Sequence, residues 1–189
     1  MRNILFIFLL ILSFQSWTKA DEISDFEIEG MSIGDSLLNF YSVNEIEKMR
    51  TVIFKNYEKR VIIIDNGAYE NVVVSYKKND PEYIIKGLTG NLGFYSGINE
   101  CYLTMDIIQN EIGSLFSNLI KKDWGILKLE DPNQTYKPIT YDFKNNDRIQ
   151  ISCWDFRVSK DEDNNRDILK FSLYSSEFRD ATSAEAIKN

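Results

Sequence analysis

The segment from Gly30 to Gly34 has the Gly-x-Ser-x-Gly spacing of the nucleophile elbow in serine hydrolases. Such a serine needs a base to accept its proton, and the chain contains no histidine. The absence of histidine excludes Ser-His-Asp catalysis, Cys-His catalysis and any histidine-ligated metal. We therefore interpret Ser32 as the cap of a helix, with Asp35 completing a Ser-x-x-acid motif.

Four side chains at alternating positions resemble the start of an EF-hand calcium loop: Asp161, Asp163, Asn165 and Asp167. Arg166 and Ser172 occupy the positions where that loop requires a glycine and a bidentate glutamate. The sequence therefore favours an acidic, solvated hairpin loop, and we expect no resident metal and no cofactor.

Carboxylates offer the main enzymatic alternative, because glycosidases need two of them and no histidine. The chain carries 29 aspartates and glutamates, but nearly all fall in predicted loops or on solvated faces, so no pair stands out. We expect a non-catalytic binding or interaction module of unknown specificity. A carboxylate-dependent hydrolase such as a glycosidase is the alternative.

An aromatic face would suit a binding module. Trp154 and Tyr174 alternate with the apolar residues of the last two predicted strands, so both point away from the expected core. They form a candidate binding face for a protein or an envelope component. The competing interpretation is a second buried layer beneath a loop or the N-terminal helices.

The first twenty residues indicate where the protein works. Arg2, the apolar run of residues 4–14 and the small residue Ala20 follow the order of a secretory signal peptide. The run is shorter than the roughly 20 apolar residues that cross a bilayer. We expect residues 1–20 to be removed and residues 21–189 to fold as one domain in the periplasm or outside the cell.

The charge balance argues against nucleic acid as a partner. Loss of Arg2 and Lys19 with the signal peptide would change the net charge from −7 to −9. An acidic surface repels phosphate backbones, and the basic residues are scattered along the chain. No second apolar segment approaches membrane-spanning length.

Periodicity predicts an α+β fold with a mainly antiparallel sheet, one long amphipathic helix and a short N-terminal helix-loop-helix. Short helices are expected at about 34–40 and 43–50, the second opened by a capping box of Ser42 and Glu45. The long helix is expected within 96–120, where apolar residues recur at helical spacing: Cys101, Met105, Ile108, Ile112, Leu115 and Leu119. Strands are expected at 61–65, 68–77, 82–95, 124–129, 140–144, 148–156 and 168–175.

The dipeptide Asn66-Gly67 predicts a two-residue hairpin turn between the first two of these strands. Such a turn fixes which side chains share a face. The expected core face carries Val61, Ile63, Val72, Val74 and Tyr76.

Cys101 and Cys153 are the only two cysteines. An exported protein with an even number of cysteines can form a disulfide. Both lie on apolar faces, Cys101 near the start of the long helix and Cys153 on a predicted strand. We expect the two residues to lie close together and to form a disulfide, with two buried thiols as the alternative.

Residues 25–38, with residues 45–48 behind them, resemble the opening of small exported proteins of unknown function from marine alphaproteobacteria. Residues 83–90 and 98–116 are similar to the same proteins, so the resemblance covers roughly residues 25–120. It implies no activity and no site residues. The turn, helix-loop-helix and sheet more distantly resemble outer-membrane assembly accessory proteins and β-lactamase-inhibitor-like domains, and function does not follow from that pattern.

Cleavage after Ala20 is a testable consequence of the N-terminal pattern. Because Asp21 and not a cysteine follows the cleavage site, we expect a mature protein without an attached lipid. The intact mass of the exported protein should correspond to residues 21–189. Recovery of a membrane-bound species that keeps residues 1–20 would contradict the prediction.

Overall fold

The computed structural model describes residues 22–54, 56–116, 118–129, 131, 134–156 and 166–186, with residues 182–186 described by their backbone alone. The expected signal peptide and positions 161–165 of the calcium-like pattern lie outside the described residues. Within this part of the chain the strands are β1 (Arg50–Phe54), β2 (Tyr57–Ile63), β3 (Asn71–Lys77), β4 (Ile85–Phe94), β5 (Ile120–Asp123), β6 (Leu127–Lys128), β7 (Gln134–Asp142), β8 (Arg148–Phe156) and β9 (Asp167–Tyr174). The α-helices there are α1 (Val43–Lys48), α2 (Ile98–Leu115) and α3 (Ser176–Ala186).

The strands form one antiparallel sheet in the order β1-β2-β3-β4-β9-β8-β7-β5, with β6 also paired to β7. The last strand, β9, lies between β4 and β8, so the centre of the sheet combines both halves of the chain. The predicted α+β class and the mainly antiparallel sheet are confirmed. The C-terminal helix α3 was not predicted.

The long helix α2 packs across β4, β8 and β9. Its apolar stripe is buried as predicted at Cys101, Met105, Ile108 and Ile112, whereas Leu115 at its end is exposed. A disulfide joins Cys101 to Cys153 on β8, with the two Cα atoms 5.9 Å apart. We call the side of the sheet that carries α2 the helix face and the opposite side the back face.

The main core lies on the helix face, where alternate residues of the central strands point inward. Its buried strand residues include Val72, Val74, Tyr76, Leu88, Ile139, Ile149, Ile151, Leu169, Phe171 and Leu173. The N-terminal segment closes over the same core with Ile23, Ile28, Met31, Leu37 and Ile46. Because the apolar residues of the central strands point to this side, the alternate positions that point to the back face are largely polar.

The predicted register of the first hairpin is wrong by one residue. The pairing of β2 with β3 places Val61 and Ile63 on the back face, where Ile63 is 71% exposed. The connection is longer than two residues because the Glu29 carboxylate binds it, accepting the backbone N–H groups of Ala68 at 2.8 Å and Tyr69 at 3.2 Å. A slip of one residue moves every side chain of a strand to the other face.

The prediction that Ser32 caps a helix is also wrong. Its hydroxyl donates to the carbonyl oxygen of Phe26 at 3.0 Å, and its N–H donates to Asp35 Oδ2 at 2.8 Å. The carbonyl oxygen of Asp35 accepts the N–H of Ile85 at 2.8 Å, so this backbone pairs with the sheet. The helix expected at 34–40 is therefore only a 3₁₀ turn over Leu37–Asn39.

The capping box of Ser42 and Glu45 is confirmed at the start of α1. The Ser42 N–H and hydroxyl both donate to the Glu45 carboxylate, at 2.8 and 2.7 Å. This box satisfies N–H groups that the first helical turn leaves without partners. It positions Ile46, which is fully buried in the core.

The disulfide should contribute measurably to stability because it closes a separation of 52 residues. Cys101→Ala/Cys153→Ala should lose about 2–4 kcal/mol of unfolding free energy, since the unbridged unfolded chain has more conformational freedom. Urea unfolding of both proteins, with and without reductant, measures the difference. Thiol labelling of the unreduced, denatured wild-type protein provides the direct control, and two reactive thiols would contradict the bridge.

Candidate functional site

The strand register arranges the back-face side chains in rows across the sheet. One row contains Asn71, Asn91, Lys170, Ser152 and Pro138. The neighbouring row contains Thr89, Ser172, Gln150 and Thr140. Hydroxyl and amide groups dominate both rows, and Lys170 is the charged residue of the first row.

Buried hydroxyl groups form the floor of this region. Ser172 and Thr89 share a hydrogen bond of 2.9 Å between their hydroxyl oxygens. Ser152 Oγ accepts the indole N–H of Trp154 at 2.9 Å. Ser152 and Ser172 are each 1% exposed, so their bonds satisfy polar groups that water does not reach.

Three aromatic rings stand beside this floor. Tyr136 on β7 lies directly opposite Trp154 on β8, and their ring centroids are 4.8 Å apart in a stacked arrangement. Phe156, two residues further along the same strand face, stacks with Trp154 at 6.0 Å. We call Tyr136, Trp154, Phe156 and Lys170 the Lys170 cluster.

Lys170 completes the cluster from β9, with Nζ 3.6 Å from the centroid of the Trp154 ring. Burial, and secondly the positive charge of Lys59, lower the pKa of Lys170 to about 8. Within the part of the chain that the structure describes, Nζ has no ion pair with a carboxylate. The ammonium group is therefore held by an aromatic ring rather than by an opposite charge.

This arrangement is suited to an anionic ligand. A partly desolvated ammonium group is unfavourable unless an opposite charge or hydrogen bonds compensate it. Asn91 Nδ2 donates to Asn71 Oδ1 at 2.7 Å, which orients two amide groups in the row beside Lys170. A ligand that carries both a carboxylate and hydroxyl groups would match an ammonium flanked by amides.

The structure separates the two residues of the candidate binding face. Trp154 and Tyr174 both lie on the back face, but the β9 partner of Trp154 is Ile168, six residues from Tyr174 and thus about 20 Å away along the strand. Tyr174 packs against Phe178 of α3 at 5.6 Å. Tyr174 therefore belongs to a layer covered by a helix, whereas Trp154 belongs to the Lys170 cluster.

The C-terminal helix explains why this end of the back face is covered. Phe178 is buried between Tyr57 and Tyr174, and its ring crosses β4 at Gly87. A Cβ atom at position 87 would lie 2.8 Å from that ring, so only glycine permits the approach.

Sequence reasoning did not single out Lys170, Tyr136 or Phe156. The alternation of β9 places Lys170 on the same face as Tyr174, which is a signal available from the sequence. The contact with Trp154 depends on the register between β8 and β9, which the sequence does not reveal.

Comparison with family models, curated proteins and solved structures finds no match to this chain. Among the described residues, no group of three or more cysteine, aspartate or glutamate side chains is placed to hold a metal ion. None of the helices in that part of the chain is long and apolar enough to cross a membrane. The chemistry of the back face is thus the basis for inferring function.

Lys170→Met should stabilise the protein near neutral pH, by up to about 3 kcal/mol, because methionine keeps the ring contact without a buried charge. The pKa of Lys170 is about 8 in the folded protein, below the 10.5 that is usual for a solvated lysine. At pH values between these two, Lys170 is protonated to a greater extent in the unfolded chain than in the folded protein. The unfolding free energy of the wild type therefore rises with pH in this range, and the advantage of the variant shrinks. Denaturant unfolding at several pH values measures this difference.

Lys121→Met is the matched control, because Lys121 is an exposed lysine that also lies over an aromatic ring, that of Tyr141, at 5.8 Å. This variant should change the unfolding free energy by less than about 0.5 kcal/mol at any pH. Equal effects of the two substitutions would contradict a buried charge at Lys170.

Proposed function

We propose that this chain is a non-catalytic, exported binding module whose Lys170 cluster binds a carboxylate-bearing saccharide of the cell envelope. The observation that carries the proposal is the Lys170 ammonium group, which lies on the Trp154 ring in a row of amides and hydroxyls. The expected signal peptide and the disulfide are compatible with a periplasmic or secreted protein.

The charge distribution supports an anionic ligand at this position. The whole chain is acidic, with a net charge of −7, yet the two back-face rows contain no aspartate or glutamate. Lys59 adds a second positive charge close enough to lower the pKa of Lys170. A bound carboxylate would compensate the charge of the partly desolvated Lys170 ammonium group.

The polar neighbours support a saccharide as the carrier of that carboxylate. Asn71, Asn91 and Gln150 are half-buried amide side chains on the same face as Lys170. Amides donate and accept hydrogen bonds, which suits the hydroxyl groups of a sugar. A peptide ligand would instead be expected to use an open strand edge, which the central strands do not offer.

The geometry does not favour the hydrolase alternative. Asp155 lies on the helix face beside Cys153, whose disulfide partner is Cys101 at the start of α2. Glu111, whose pKa burial raises, lies on α2 ten residues from Cys101, so the Cα atoms of Glu111 and Cys101 are about 15 Å apart. A glycosidase needs two carboxylates that face each other across one cleft, whereas Asp155 lies near the disulfide at the start of α2 and Glu111 lies near the end of that helix.

The buried carboxylate of Asp147 has a structural role in the turn between β7 and β8. It accepts the backbone N–H of Ser176 at 2.7 Å and the side-chain amide of Asn145 at 2.8 Å. These bonds connect the turn to the start of α3. Asp147 is therefore engaged in holding the C-terminal helix on the sheet.

Binding of trigalacturonate, measured by calorimetry, tests the proposal, with maltotriose as the uncharged comparison. The wild-type protein should bind the acidic trisaccharide, and Lys170→Met should lose about tenfold or more in affinity because a charge-assisted hydrogen bond disappears. Above about pH 8 the wild-type affinity should fall by up to about tenfold per pH unit, because the free amine loses its proton. The Lys121→Met control should bind like the wild type.

Other outcomes separate the competing functions. Binding of hexaglutamate without binding of trigalacturonate would overturn the saccharide and favour an acidic protein partner. Release of shorter sugars from trigalacturonate would overturn the non-catalytic assignment and favour the hydrolase. Unchanged affinity in Lys170→Met would show that the Lys170 cluster is not the site.

A further inference from the structure

Strand β5 is the last strand at one edge of the sheet among the described residues, and this edge carries three exposed apolar side chains. Ile120 is 70% exposed, Trp124 is 41% exposed and Ile126 is 63% exposed. They fall within nine residues, in the segment Ile120 to Lys128, which we call the β5 edge segment. Exposed apolar side chains grouped in this way mark interaction surfaces more often than isolated ones do.

The same segment is basic on an otherwise acidic protein. Lys121, Lys122 and Lys128 are all exposed, and Asp123 is its only acidic residue. The Asp123 carboxylate is engaged locally, because Oδ1 accepts the N–H of Gly125 at 2.8 Å and Oδ2 lies 3.7 Å from Nζ of Lys137. The sequence becomes acidic again only beyond the segment, at Glu130 and Asp131.

The local structure holds the apolar groups outward. The indole N–H of Trp124 donates to Thr140 Oγ1 on β7 at 3.2 Å, which fixes the ring at the sheet edge. Nζ of Lys122 lies 3.3 Å from the centroid of the same ring. Gly125 has a φ of +68°, a left-handed conformation that glycine adopts readily, and it turns the chain so that Ile126 protrudes.

We propose that the β5 edge segment docks on the surface of an anionic lipid bilayer. Tryptophan at the level of the headgroups, isoleucines entering the acyl boundary and lysines paired with anionic lipids are the elements of interfacial attachment. The alternation of β5 places Ile120 and Lys122 towards the back face and Lys121 towards the helix face. The Trp124 ring is on the back face too, since its indole N–H donates to Thr140 there. Lysines therefore flank the edge on both sides, which suits a sheet that meets the membrane edge-on.

Charge complementarity favours a bilayer over a second copy of the chain. A second copy presents the same net charge of −7 but repeats the same lysines at this edge, so edge-to-edge pairing would oppose like charges. An anionic membrane presents many negative headgroups to all three lysines at once. The proposal does not depend on the ligand of the Lys170 cluster.

Flotation of the mature chain with lipid vesicles tests the docking surface. Vesicles of phosphatidylglycerol and phosphatidylcholine in equal parts should bind the protein, and pure phosphatidylcholine vesicles should bind it at least about tenfold more weakly. Raising the salt to about 0.5 M should weaken binding because it screens the lysines. Glycerol phosphate in solution should not compete, since it lacks the acyl boundary that receives the isoleucines.

The variant Ile126→Glu should lose at least about tenfold in vesicle partitioning, because it removes an inserted apolar group and adds a negative charge. Ile53→Glu is the matched control, since Ile53 on the opposite sheet edge is also 63% exposed. Ile53→Glu and Lys170→Met should both bind vesicles like the wild type. Unfolding curves of both variants show whether each is folded under the binding conditions, since a glutamate at position 53 lies opposite Glu58 in the pair of β1 and β2.

Three results would overturn the proposal. The first is equal binding to neutral and anionic vesicles, and the second is equal loss in Ile126→Glu and Ile53→Glu. The third is a concentration-dependent dimer, seen by sedimentation, that Ile126→Glu abolishes while vesicle binding is absent. That last result would assign the edge to a second copy of the chain.

Discussion

The contact between Cys101 and Cys153 determines what each face of the sheet presents. Cys153 must point towards α2 to form the disulfide, so its strand neighbours Ser152 and Trp154 point to the back face. Residues that pair across antiparallel strands lie on the same face of the sheet. Lys170 on β9 pairs with Ser152, and Tyr136 on β7 pairs with Trp154, so both are on the back face. A core rich in apolar groups on one side and a polar, aromatic surface on the other both follow from the orientation of Cys153.

The Lys170 cluster illustrates a conflict between stability and binding. Burial lowers the pKa of Lys170 to about 8, so the charged form is less favourable in the folded protein than in the unfolded one. Apolar replacement of a buried charge is commonly neutral or stabilising. The stability of the fold therefore does not explain a lysine at this position. Binding of an anionic ligand explains it better.

Local signals in the sequence were sufficient where neighbouring residues decide the structure. The stripe of α2, the capping box of Ser42 and Glu45, and the full extent of β8 at residues 148–156 all follow from periodicity and capping. Prediction failed where distant segments intervene. Glu29 binds the loop between β2 and β3 and shifts its register, and Ile85 of β4 forms hydrogen bonds with the backbone of Gly34 and Asp35 where a helix was expected.

The candidate site was only partly predictable for the same reason. Trp154 could be assigned to a face away from the core because alternation along β8 is a local property. The contact between Lys170 and Trp154 could not be predicted, because it depends on the register between β8 and β9. The connection between these strands is too long for the sequence to fix that register. Tyr174 shares the face but lies under α3, a short and mostly polar helix in which Phe178 is the only large apolar residue, so the sequence shows no apolar stripe there.

The Lys170 cluster and the β5 edge segment are electrostatically separable although they lie on one sheet. Strand β9 is three strand spacings from β5, or about 14 Å. The Debye length at physiological ionic strength is about 8 Å, so the charge of a bilayer at the β5 edge is largely screened at Lys170. Anionic lipids would therefore not compete for the lysine, and edge-on docking would leave the back face open beside the membrane. A ligand of the cluster would then be one that extends along the membrane surface rather than one embedded in it.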